Sequence, residues 1–108
     1  MGVAEAESHD VFRNLALAMI HHAQGRAAES DAALQTLSSE FGWTAAYQVA
    51  EAYAYRKDVE KAFEWLERAY EQRDPGVTVS ATDVILRSLH HDPRWQPFLQ
   101  RLGLASRA

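Results

Sequence analysis

Thr44–Pro75, TAAYQVAEAYAYRKDVEKAFEWLERAYEQRDP, constrains the fold of this chain more than any other stretch. Small residues recur where two helices must approach closely: Ala46, Ala50 and Ala54, then Ala62 and Ala69. Tyr47, Val49, Tyr53, Phe63, Trp65, Leu66 and Tyr70 fill the intervals. A 3.6-residue apolar period on either side of a short polar break predicts two amphipathic helices joined by a tight turn. The expected fold class is all-α, with two antiparallel helical hairpins stacked side by side and one or two capping helices at the C-terminal end.

Elements follow from punctuation along the chain. Residues 1–8 are small and acidic and are expected to fray. Ser8 or Asp10 is placed to cap a first helix running to about Gln24, with Val11, Leu15, Ala18 and His22 on one face. Gly25 stops it, because glycine accepts a left-handed conformation without a Cβ clash. A second helix is expected over about 27–39, with Ala33, Leu34 and Leu37 inward and Phe41 closing its end. Thr44 is expected to cap a third helix over about 45–56, and Asp58 a fourth running to about Gln72. Asp74-Pro75-Gly76 reads as a turn. Val77-Thr78-Val79 has strand composition without a partner strand and is read as an extended connector. Asp83 is placed to cap a short helix over about 84–90. Asp92-Pro93 signals a final helix start, with Trp95, Phe98, Leu99 and Leu102 as its apolar stripe and Gly103 as its stop.

The first inter-helix turn, at Gly25, and the second, at Lys57–Asp58, lie 32–33 residues apart. That period signals stacked helical repeats. On these residues the chain resembles the tetratricopeptide repeat family, whose motif is W-x2-L-G-x2-Y, then A-x3-F, A and P. In the second hairpin Val49-Ala50 take the Leu-Gly pair, Tyr53 the tyrosine, Ala62 and Ala69 the two alanines, Leu66 the aromatic position and Pro75 the closing proline. Ala46 departs from the large first residue. In the first hairpin Ala18 and Gly25 fit, while His21 stands for tyrosine and Ser30 for alanine. AFEWLERAYEQRDPG followed by HDPRWQPFLQRLGL also looks like the C-terminal ends of bacterial multidomain regulatory proteins. The resemblance implies one tetratricopeptide-like domain over 1–108, with a degenerate repeat at 8–42, a better repeat at 43–75, and a connector and cap at 76–108. It further implies that each inner helix lines a concave surface receiving a partner peptide or helix. By position, Phe12, Leu15, Met19 and His22 line it from the first hairpin, and Thr44, Tyr47, Glu51 and Tyr55 from the second. The alternative places Phe12, Leu15 and Tyr47 in the core. Leu15 and Met19 stand where some members carry carboxylate-clamping residues, so a C-terminal carboxylate is not the expected ligand.

Two hairpins are fewer than the roughly three repeats such stacks need. A cap must therefore cover the last apolar face, and Trp95, Phe98 and Leu102 are the residues assigned to it. Failing that, a second copy would seal the stack, giving a homodimer.

Other functions find little footing. The chain carries no cysteine, which excludes disulfides and suits a cytoplasmic protein. A net charge of −4 opposes nucleic-acid binding. No apolar run approaches the ~20 residues of a membrane span, and no secretory leader is read at the N-terminus. Adjacent histidines, His21–His22 and His90–His91, point about 100° apart on a helix and cannot chelate together, so neither metal nor cofactor is expected. No phosphate loop or nucleophile motif suggests an enzyme. Residues 1–75 carry 13 acids against 7 bases, whereas 76–108 carry Asp83 and Asp92 against Arg87, Arg94, Arg101 and Arg107. This reads as a solvated acidic body with a mildly basic end; the functional version has that end docking on an acidic surface, its own or a partner's.

Overall fold

A computed structural model describes the backbone of residues 3–103 and the side chains of 9–103. The expectations for residues 1–2, the Ser8 side chain and the chain end beyond Gly103 lie outside those residues. Five α-helices and two 3₁₀ segments make up the described chain, with no strand among the described residues. They are α1 (Val3–Ala23), α2 (Ala27–Phe41), α3 (Ala46–Tyr55), α4 (Val59–Glu71), η1 (Pro75–Thr82), η2 (Val84–Leu89) and α5 (Trp95–Leu102). α1 packs on α2 and α3 on α4, and α3 touches both α1 and α2, so the two hairpins stack.

The hairpin turns are equivalent. Arg26 N–H reaches His21 O at 2.8 Å and Gly25 N–H reaches His22 O at 3.1 Å; 32 positions later Asp58 N–H reaches Tyr53 O at 3.0 Å and Lys57 N–H reaches Ala54 O at 2.9 Å. This paired closure needs one left-handed residue, supplied by Gly25 at φ 76° and by Lys57 at φ 63°. The same closure ends α4 at Arg73, φ 58°, where Asp74 N–H meets Ala69 O at 2.9 Å.

Small residues occupy the crossings. Ala18, Ala46, Ala50, Ala52, Ala54, Ala62 and Ala69 are buried, with Leu37, Val49, Phe63 and Leu66 between them. Ser30, where the repeat motif has alanine, is buried and donates to Ala18 O at 2.7 Å, tying α2 to α1. Asp58 caps α4 as expected, accepting from Lys61 N–H at 3.3 Å. Asp58→Ala is expected to lower stability by about 1 kcal/mol, read from a urea transition; an unchanged midpoint would deny the cap any role.

Four boundaries differ from the sequence reading. α1 starts at Val3 and runs through Asp10, because Ala and Glu are strong helix formers and carry the helix past the supposed cap. Thr44 does not cap α3: Ala45 N–H closes a turn on Phe41 O at 2.7 Å and the Thr44 hydroxyl is drawn back to the same carbonyl at 3.4 Å. α5 begins at Trp95, two residues beyond the proline, because Asp92 first closes a turn by accepting from Arg94 N–H at 2.9 Å. The fourth difference is the largest. Val77-Thr78-Val79 is not extended but lies inside η1. The Thr78, Ser80 and Thr82 hydroxyls donate to the carbonyls three residues back, at 2.8, 2.8 and 3.3 Å. Asp74 accepts from Gly76 N–H at 2.8 Å at the start. Local hydroxyl bonding of this kind favours tight turns over strand.

The tail closes the stack. Trp95, Phe98 and Leu99 are buried and Leu102 is partly buried against the same core. Arg94 pairs with Glu60 at 3.1 Å and lies over the Phe63 ring at 4.6 Å. One heptad on, Arg101 pairs with Glu67 and lies over the Tyr70 ring at 5.1 Å. The basic end therefore docks on the acidic face of its own α4.

Candidate functional site

α3 is the inner helix of the better-matched hairpin, and the concave side it was expected to show to a partner is covered by 75–89. η1 and η2 form a strap that follows α3 from its first turn to its last. Asp74 accepts the Tyr47 amide at 3.1 Å at one end, and Ser88 donates to Ala54 O at 2.7 Å at the other. Between them the Tyr47 hydroxyl donates to Asp83 at 2.5 Å. Gly76 lies against Tyr47 so closely that a Cβ there would come within 2.9 Å of the ring and its Cβ. The strap is fitted by a period of three: Val77, Ser80, Leu86 and Leu89 are buried and Asp83 points the same way, which is the side-chain repeat of a 3₁₀ helix. V-x2-S-x2-D-x2-L-x2-L carries this repeat in the sequence, a spacing that neither the strand period of 2 nor the α-helix period of 3.6 matches.

Consequently two expected groove residues are not presented. Tyr47 is 2% exposed and Glu51 is 8% exposed. Both belong to a buried polar cluster under the strap. Burial first, then Asp83 and Asp74 nearby, pushes the Glu51 carboxyl from 4.5 up to about 9, so it holds a proton at neutral pH. Burial also works against charge on Asp83, but hydrogen bonds from Glu51, Tyr47 and the Ile85 amide hold it below the usual carboxylate range. Burial and the Asp83 carboxylate push the Tyr47 phenol well above its ordinary value. The cluster is a neutral acid and a phenol gripping one carboxylate, an arrangement that fastens the strap to α3. Leu15, the other doubtful position, is core.

Met19, Tyr55 and His22 are brought together. Met19 on α1 and Tyr55 at the end of α3 line a groove of about 420 Å³ with Ala54 and Lys57. Its other wall is the strap itself, through Val84, Ile85, Arg87 and Ser88. The His22 ring meets Tyr55 edge-on at 6.0 Å. Phe12, 60% exposed, does not line the groove but lies two turns before Met19 on the same stripe of α1. Val84, which sequence reasoning did not single out, is 70% exposed at the rim. The volume lies in the lower part of the roughly 300–1,000 Å³ typical of ligand clefts.

No family model, curated protein or solved structure matches this chain. The site is therefore judged by its own chemistry. The groove offers apolar side chains, one phenol and two cations, and no nucleophile paired with a base. Among the described residues no cluster of histidine, aspartate and glutamate is set to hold a metal ion. The His90 ring lies on Trp95 with centres 4.7 Å apart. Among the described residues no helix is long and apolar enough to cross a membrane.

Proposed function

We propose that the chain is a tetratricopeptide-type repeat module that mediates protein–protein contact and performs no catalysis of its own. One observation carries the reading: the strap covers the Tyr47 and Glu51 face of α3, and beside Met19, Tyr55 and Val84 an apolar groove stays open. Burial of a partner's apolar side chains there supplies the affinity, at about 25 cal/mol per Å² removed from water. Trp95 and Phe98 are buried within the chain, which supports contact with a different protein over a dimer sealed by the tail.

The test compares affinity capture by the wild-type chain with capture by Val84→Asp and Tyr55→Ala variants. Both sites are exposed, so thermal transitions should be nearly unchanged while recovery of the bound protein falls at least tenfold. Light scattering should give one monomeric mass for all three. Capture that is indifferent to both substitutions would sink the groove reading, and a dimer abolished by Phe98→Asp would replace it with self-association.

A further inference from the structure

We infer that the open groove takes an acidic amphipathic segment of a partner protein, with aliphatic anchors seated against Met19 and Val84 and carboxylates set over Lys57 and Arg87. The inference rests on the contact-module reading above and adds the chemistry of the occupant.

Two observations point to it. The first is charge. Arg56 pairs with Asp31, Arg68 with Glu64, Arg94 with Glu60 and Arg101 with Glu67, whereas the exposed Arg13, Arg26 and Arg73 form no ion pair among the described residues. Lys57 and Arg87 flank the apolar floor and form no ion pair among the described residues. In a chain of net charge −4, two cations beside one apolar floor offer complementary charge that would steer and orient an acidic segment.

The second is the strap. It already occupies the neighbouring part of the same concave surface, and it shows which chemistry that surface accepts. Its buried side chains are aliphatic at Val77, Leu86 and Leu89, and its carboxylates at Asp74 and Asp83 take hydrogen bonds from α3. A partner segment lying beside η2 would repeat that pattern one position further toward α1. It would use Lys57 and Arg87 as donors where the strap uses the Tyr47 amide and hydroxyl.

The experiment uses the full chain and three fluorescein-labelled ten-residue peptides read by fluorescence anisotropy. One is built of leucine and glutamate; the others replace every glutamate with glutamine or with lysine. The glutamate peptide should bind at least tenfold more tightly than the glutamine peptide, and the lysine peptide most weakly. Raising the salt from about 0.05 M to about 0.5 M should shrink that gap, because exposed charges are screened. A Lys57→Glu/Arg87→Glu double variant should reverse the order, and Val84→Asp should weaken the glutamate peptide at least tenfold. An order unchanged by charge reversal, or tightest binding of the lysine peptide, would overturn the acidic occupant. If none of the peptides binds while capture sensitive to Val84→Asp persists, the acidic segment is rejected and the contact module stands. If capture is insensitive as well, both fall. Sedimentation showing self-association abolished by Val84→Asp would make the occupant a second copy and overturn the proposal.

Discussion

Phe98→Ala should destabilise the protein by about 3–5 kcal/mol, enough to unfold much of the population if total stability lies near the low end of the usual 5–15 kcal/mol. Phe98 is 1% exposed and packs beside Trp95, ring centres 6.4 Å apart. Truncation would leave a hole where α5 seals the last hairpin. Among the described residues no further repeat covers that face, so the loss falls on α5. A urea midpoint and thermal scan should both fall, the latter by more than about 10 °C, since 1 kcal/mol shifts the transition of a domain this size by about 4–8 °C. Arg101→Ala is the control. Its guanidinium is nearly half exposed where it pairs with Glu67, and an exposed pair is worth about 0–1 kcal/mol. Comparable losses from the two variants would mean that charge, not burial, holds the tail. An unchanged Phe98→Ala transition would mean that the tail is not a cap.

Some of this architecture could be read from residues alone because the relevant signals are local. Gly25 announces a left-handed turn by its identity, and Asp58 marks the second turn as a helix cap, whereas the residue type of Lys57 gives no hint of its left-handed conformation. The alanines at 46, 50, 62 and 69 mark close helix contact wherever they occur, and Trp95 and Phe98 had no apolar surface to cover except the last hairpin. The candidate groove was harder. Tyr47 and Glu51 share one face of α3, but what lies against that face depends on where 75–89 returns in space. Valine and threonine at 77–79 favour strand in general; here hydroxyl-to-carbonyl bonds and the buried period of three prevail. Glu51 gave no sign of its burial, since a glutamate on a helix is ordinarily solvated. Of the expected groove residues Met19 and Tyr55 line the opening, with His22 against Tyr55, and Val84 reaches its rim from the short helical segment expected over 84–90.

The buried carboxyl makes a second large effect testable. In the unfolded chain Glu51 loses its proton near 4.5, whereas in the fold it keeps it to about 9. Across that interval the folded state binds the extra proton, so stability must fall as pH rises. The contribution is fully present below 4.5 and is lost as pH passes through the folded value. The slope for one proton is at most about 1.4 kcal/mol per pH unit, so the accumulated loss can reach several kcal/mol. Asp83 has the opposite sign: its lowered value contributes stability above the ordinary aspartate range and loses it in acid, below the window where Glu51 acts. Tyr47, whose phenol is pushed upward, stays neutral throughout. The groups facing Glu51 are thus Asp83 and Tyr47, with Asp74 beyond them. Glu51→Gln keeps the shape, has no proton to lose and can still donate to Asp83. Its thermal transition should be nearly flat between pH 5 and 9, while the wild type falls and drops below the variant at the alkaline end. The strap should loosen first, because deprotonating Glu51 sets two carboxylates against each other at the point where η2 is held. Hydrogen exchange at the Ile85 amide, bonded to Asp83 at 2.9 Å, should accelerate with pH beyond its intrinsic rate in the wild type and not in Glu51→Gln. Parallel profiles for the two proteins would show that Glu51 does not carry the proton that fastens the strap.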